Sequence, residues 1–155
     1  MSSIIEQPVP SRELIEKLQK EMVKRPQASG LHTEHAIHGG LYHRKLFRPA
    51  GTLIVGRVHK TDHLFICVSG EIIAWSETGM RTLKAGDVIE SKAGTKRVTL
   101  AKTDAVAMTV HRVEARILDD VESELLEPDE EAAFDFNNVV KPGFLVAPET
   151  SKLGA

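Results

Sequence analysis

Residues 51–70 read GTLIVGRVHKTDHLFICVSG, and residues 86–97 read GDVIESKAGTKR. Side chains alternate between the two faces of an extended strand, so Leu53, Val55, Arg57 and His59 share one face. His63, Phe65 and Cys67 do the same on the strand that follows. On both strands large apolar residues adjoin polar ones, which places polar groups at one end of an otherwise apolar interior. That is the arrangement of a binding pocket in the mouth of a barrel. Gly70, Gly86 and Gly94 stand where turns between strands need a positive φ or a close backbone approach.

The same punctuation continues outward. From Leu31 to about Val113, short apolar runs are broken by Gly39-Gly40, Pro49-Ala50-Gly51, Ser69-Gly70, Gly79, Gly86, Gly94 and Thr103-Asp104. Turn signals this frequent predict β-structure closed into a sandwich or barrel. Upstream, Ser11 is placed to cap a helix with Glu13 in its first turn. Leu14, Ile15, Leu18 and Met22 form its apolar stripe, and Pro26 ends it. Residues 1–10, with Pro8 and Pro10, read as an extended arm. After Arg116 the chain turns acidic, and Val121, Leu125 and Leu126 among the carboxylates of residues 119–131 predict a short helix on the barrel surface. Residues 142–155 read as extended. The expected organisation is an arm and helix over 1–30, a β-barrel over 31–116, and an acidic helix with an extended arm over 117–155. No internal repeat or low-complexity tract interrupts it.

Composition narrows the function classes. A chain of 155 residues fits one domain of ordinary size. A formal net charge of -2 offers no basic surplus for binding a phosphate backbone, so nucleic acid is not an expected partner. The single cysteine, Cys67, excludes an intrachain disulfide and a thiolate-rich zinc site, which fits a reducing, cytoplasmic compartment. The start, MSSIIEQPVPSRE, has no charged leader followed by an apolar stretch, and no run of about 18 apolar residues occurs. The expectation is a soluble protein with no membrane partner.

The two quoted segments resemble the paired motifs of the cupin superfamily. The first motif runs Gly, five residues, His-x-His, three or four residues, Glu, six residues, Gly. Here Gly51 opens it, Arg57 and His59 take the histidine positions, His63 takes the glutamate position and Gly70 closes it. The second runs Gly, five residues, Pro-x-Gly, two residues, His. Gly86 opens it, Lys92 stands for the proline, Gly94 matches and Arg97 stands for the histidine. The resemblance covers roughly a third of the chain, through glycines and spacing more than through ligands. It implies an all-β jelly roll, the cupin double-stranded β-barrel, with an N-terminal helix, a short C-terminal helix and extended terminal arms. Residues 34–72 together with AGTKR and TVHRV are also similar to uncharacterised cupin-like proteins of bacteriophages and prophages, in which a further histidine is expected at the position of Thr61.

A typical cupin would hold a divalent transition metal on three histidines and a glutamate. Two of those four positions are arginine here, and a guanidinium has no lone pair to donate to a metal. His59 and His63 remain, and a metal such as zinc, nickel, iron or manganese needs a third ligand. His111 is the candidate on the last barrel strand; Glu34, His35, His38 and His43 are candidates on the first strands. His59, His63 and His111 form the favoured set, with His35 as the substitute for His111. Arg57 and Arg97 are candidates for clamping a carboxylate or phosphate by bidentate hydrogen bonds. Plainer roles stand beside each of these. The histidines suit hydrogen-bonded residues of a polar barrel mouth or an exposed early strand, and the arginines suit ion pairs that hold strands together. Asp62 and Lys60 are expected to be solvated. Cys67 suits a small core hydrophobe, because nothing basic adjoins it in sequence.

Two functional hypotheses follow. The first is a cupin-type barrel binding a divalent metal or a small anionic ligand in its lumen at His59, His63, Arg57 and Arg97. Were it catalytic, the metal would act as Lewis acid or oxygen activator, since no nucleophile is paired with a base. The second is a non-catalytic structural or accessory subunit of a phage head or tail, located in the virion with other virion proteins as partners. A sugar-binding or regulatory cupin is a third, without a DNA-binding helix pair to support regulation. The resemblance and the apolar N-terminal helix further imply an arm-mediated homo-oligomer.

Overall fold

The computed structural model of the chain describes residues 10–148. Two helices and nine strands follow one another as α1 (Arg12–Met22), β1 (His32–His38), β2 (Leu41–Arg48), β3 (Leu53–Val55), β4 (His63–Ser69), β5 (Glu71–Ser76), β6 (Gly79–Lys84), β7 (Val88–Ser91), β8 (Arg97–Ala101), β9 (Ala105–Arg112) and α2 (Leu118–Leu125). The strands form a five-stranded sheet in the order β1-β2-β9-β4-β7 and a four-stranded sheet in the order β3-β8-β5-β6. Every pairing is antiparallel, and the out-of-sequence neighbours are those of a jelly-roll barrel. The predicted arm over residues 1–10 lies, apart from Pro10, outside the described residues, as does the predicted arm beyond Pro148. Among the described residues no helix is long and apolar enough to cross a membrane.

The turns form where the glycines predict them. Gly51, Gly70, Gly86 and Gly94 all have positive φ, between 78° and 93°. Gly70 also has a neighbour at close range, since a Cβ there would lie 2.3 Å from the Asp104 carbonyl oxygen. Between the sheets, Phe65, Cys67, Ile72, Leu83, Ala101, Ala105 and Ala107 form the apolar core, with Ile89 packed against it. The alternation read from HLFIC holds: His63, Phe65 and Cys67 are buried while Leu64 between them is exposed.

Both helices pack against the rest of the chain. Ser11 caps α1 by accepting from the Leu14 N–H at 3.1 Å, and the helix stops at Met22, ahead of Pro26. Its buried line differs from the predicted stripe. Ile15 and Gln19 face inward, whereas Leu14 is 55% exposed and Leu18 36%. The cause is polar: Gln19 Nε2 donates to Asp129 Oδ2 (3.0 Å), which also pairs with the buried Lys96 Nζ at 3.1 Å. That satisfied knot draws Gln19 into the interface. The acidic helix forms near the predicted place, beginning at Leu118, one residue ahead of the 119–131 stretch. In α2, Val121 and Leu125, with Leu126 beyond it, pack against Tyr42 and Val113. The chain then turns back across the barrel through a hairpin, 134–140, closed by the Phe134 and Val140 pair.

Candidate functional site

His59, His63 and His111 meet. His63 enters on β4 and His111 on β9, while His59 lies in the link after β3, held by a bridge to Leu126 and a Gly94 N–H to His59 carbonyl hydrogen bond of 2.9 Å. Ring centroids are 4.2 Å apart for His59 and His63, 5.1 Å for His59 and His111, and 4.6 Å for His63 and His111. Burial, the mutual repulsion of the three rings and nearby arginines keep them neutral. His59 is pushed down to about 2 and His111 to about 3, and His63 is lowered as well. The His63 Nδ1 donates to the Thr61 carbonyl at 3.0 Å, leaving Nε2 with the lone pair. That Nε2 and the Nδ1 of His111 are buried without a hydrogen-bond partner among the described residues.

Neutral imidazoles with free lone pairs match a divalent transition metal in donor chemistry. The arrangement does not match: as the side chains stand, no three His, Cys, Asp or Glu residues among those described are placed to hold an ion. His35 is not brought to the cluster. Its Nδ1 is 2.7 Å from the Tyr42 hydroxyl and its Nε2 is 2.7 Å from Asn137 Oδ1, and Tyr42 lies between it and His111. The other early-strand candidates stay apart too. Glu34 and His38 lie on β1, where His32 and Glu34 form an exposed pair, while the His43 Nδ1 is buried without a partner.

The lumen beside the triad is a cavity of about 130 Å³. Its walls include Leu46, Ile54, Val55, Phe65 and Ala107, and its polar lining is dominated by Arg44, Arg48, Arg57 and Arg97, with His59 at the edge toward the triad. Arg57 is committed: its Nη1 pairs with Glu122 Oε2 at 2.5 Å and its Nη2 donates to the Glu127 carbonyl at 2.9 Å, tying α2 to the barrel. The structure thus gives Arg57 the plainer of its two predicted roles. Arg97 donates to the Ser91 hydroxyl and lies over the Phe65 ring at 4.7 Å.

Arg44 and Arg48 were not singled out from the sequence. They lie on β2, whose inward face carries Tyr42, Arg44, Leu46 and Arg48, a pattern available by alternation from LYHRKLFR. Arg48 donates to the Thr99 hydroxyl, and Arg44 donates to Asn138 Oδ1. The Nε of each is buried and unpartnered among the described residues. No carboxylate lies within ion-pair distance of Arg44, Arg48 or Arg97 among the described residues. Asp135, the acidic residue in the lining, turns its Oδ1 to the N–H groups of Asn137 and Val139. Desolvation pushes Arg48 and Arg97 down to about 10 and lowers Arg44, yet all three stay cationic at neutral pH.

Comparison with solved structures places this architecture. A cupin superfamily protein from Desulfitobacterium hafniense aligns at a TM-score of 0.50 and 11% identity, over 72% of this chain and 100% of its own. The fold is that of a cupin. Salicylate 1,2-dioxygenase from Pseudaminobacter salicylatoxidans aligns at a TM-score of 0.51 and 18% identity, over 74% of this chain and 35% of the dioxygenase, so the chain spans about a third of that enzyme. No family model and no curated protein matches the chain.

Proposed function

We propose that this cupin binds a small anionic ligand in its lumen. One observation carries the reading: Arg44, Arg48 and Arg97 line one cavity with no carboxylate in ion-pair reach among the described residues. Burying a guanidinium costs several kcal/mol unless a partner charge offsets it, and a ligand that enters with a negative charge supplies that partner. Leu46, Ile54, Val55, Phe65 and Ala107 give the same cavity an apolar wall that suits an apolar body behind the anionic group. In this reading Arg97 is a ligand-binding residue, as the sequence suggests, and Arg44 and Arg48 take the share that the sequence gives to Arg57. The test is calorimetric titration of the wild type and an Arg48→Met variant with benzoate, acetate and inorganic phosphate. Binding by the wild type that weakens at least about tenfold, or about 1.4 kcal/mol, in the variant supports the reading. No heat from any of the three sinks it.

A second reading rests on the two orphaned ring nitrogens of His63 and His111. A divalent zinc, nickel, iron or manganese ion on His59, His63 and His111 would satisfy both, provided the rings turn to converge. Such an ion would supply Lewis acidity at the edge of the lumen. Elemental analysis of untagged protein beside a His59→Ala/His63→Ala variant decides it, because about one metal per chain lost in the variant is required. The phage-particle subunit has no observation in the fold or the comparisons that favours it. Self-association is a separate proposal, refuted by a monomer in light scattering at micromolar concentration.

A further inference from the structure

Asn138 holds the Arg44 guanidinium from the C-terminal hairpin. Its Oδ1 accepts from Arg44 Nη2 at 2.5 Å and from Thr33 Oγ1 at 3.0 Å. It is also the non-glycine residue with positive φ, 59°, among those described, a conformation that asparagine tolerates better than most residues. The 134–140 hairpin is built to present it. Asp135 N donates to the Val139 carbonyl at 2.8 Å, Asn138 N donates to the Asp135 carbonyl at 2.9 Å, and Asp135 Oδ1 accepts from the N–H groups of Asn137 and Val139. Phe136, on the same hairpin, covers the Arg44 guanidinium at 5.1 Å from its ring centre.

An amide oxygen satisfies one guanidinium N–H and neutralises none of its charge. Among the described residues the Arg44 Nε remains without a partner, as does the Arg48 Nε nearby on the same strand face. A carboxylate in the same place makes charge-assisted bonds, shorter and roughly twice as strong as neutral ones, and its two oxygens match the planar fork. Resting on the reading of the lumen as an anion site, we propose that the ligand is a small carboxylate with an apolar body, and that its carboxylate seats on Arg44 by displacing the Asn138 side chain. Leu46, Ile54, Val55 and Phe65 receive the apolar body. The hairpin 134–140 is then the element that yields as the ligand enters, and Asn138 tunes affinity by competing for Arg44.

Two substitutions move this competition in opposite directions. Asn138→Asp supplies an internal carboxylate, and Asn138→Gly removes the competitor while accommodating the positive φ. Calorimetric titration of the full chain with benzoate, phosphate as comparison, is expected to show affinity reduced at least about tenfold in Asn138→Asp and increased in Asn138→Gly, with a higher melting temperature for Asn138→Asp. A purely structural Asn138 would weaken benzoate binding in both variants, and that result overturns the proposal. Benzoate affinity unchanged in Asn138→Asp also overturns it while leaving the lumen reading intact. Binding of phosphate but not benzoate overturns the carboxylate assignment, and a wild type that binds neither overturns the lumen reading and this proposal together.

Discussion

His63 and His111 stack with ring centroids 4.6 Å apart and planes inclined by 18°, and each keeps one buried nitrogen without a hydrogen-bond partner among the described residues. Two imidazoles in such contact cannot both carry protons at low cost, so the pair is a liability in acid. The unfolded-state value for histidine is near 6.5, and His59, His63 and His111 all lie below it in the fold. Between about pH 3 and 6.5 the unfolded chain therefore binds more protons than the folded one, and stability falls as pH falls through that window. For His59 and His111 the loss is on the order of 1 kcal/mol each between pH 7 and 5.5, and His63 adds to it in the same direction. Urea unfolding in the presence of EDTA at those two pH values reads it directly; equal stability at both would remove the neutral triad from the account.

Arg57 is a strut for α2. It joins the chain after β3 to Glu122 and to the Glu127 carbonyl. Its side chain is 18% exposed and Glu122 42%, so solvent screens the ion pair and the carbonyl bonds carry much of the effect. Arg57→Ala is expected to cost about 1–2 kcal/mol in chemical unfolding, with Lys a poor rescue because it lacks the fork. A neutral Arg57→Ala would show that the helix is held without it, by the packing of Val121 and Leu125 and the hydrogen bonds of Lys60 and Glu124.

Gly70 and Gly86 separate two causes of glycine use. Both have positive φ, at 78° and 93°. A Cβ at Gly86 meets nothing within 4 Å, whereas one at Gly70 meets the Asp104 carbonyl oxygen and the Ala105 Cα at 2.3 and 2.8 Å. Gly86→Ala is expected to cost about 1–2 kcal/mol from backbone strain alone. Gly70→Ala must also push β9 away from the turn, and a loss exceeding about 3 kcal/mol or failure to fold is the expected outcome. Equal melting temperatures for the two variants would contradict the contact at Gly70.

Cys67 is expected to be chemically silent in the folded protein. Its side chain is wholly buried, and burial raises the thiol above its ordinary value. Its Sγ lies 3.5 Å from the Ser69 and Gly70 carbonyl oxygens, and the charge of Arg48 does not outweigh the effect of burial. Ellman's reagent should react only on unfolding, with rapid reaction of the native protein as the contrary result.

The barrel was legible because its signals are local. Glycines at turns and period-2 alternation in residues 51–70 depend on nearest neighbours, and the same alternation located His63, Phe65 and Cys67 on the inner face. The meeting of His59, His63 and His111 followed from spacing together with β9 running beside β4. Arg44 and Arg48 were missed although LYHRKLFR alternates clearly, because two arginines opposite a core look like a solvated face until the neighbouring strands are placed. The burial of Gln19 depends on Asp129 and Lys96, each distant in sequence, and the hold of Asn138 on Arg44 spans 94 positions. Neither long-range pairing has a signal in its own segment beyond the turn-forming Asn137-Asn138.

The most direct test is diffraction from crystals soaked in sodium bromide, with data at the bromine absorption edge. An anomalous peak inside the barrel, bounded by Arg44, Arg48 and Arg97 and lost on adding benzoate, is the predicted result. Bromide confined to the outer surface, with the lumen free of it, would contradict the proposal that this barrel binds an anion.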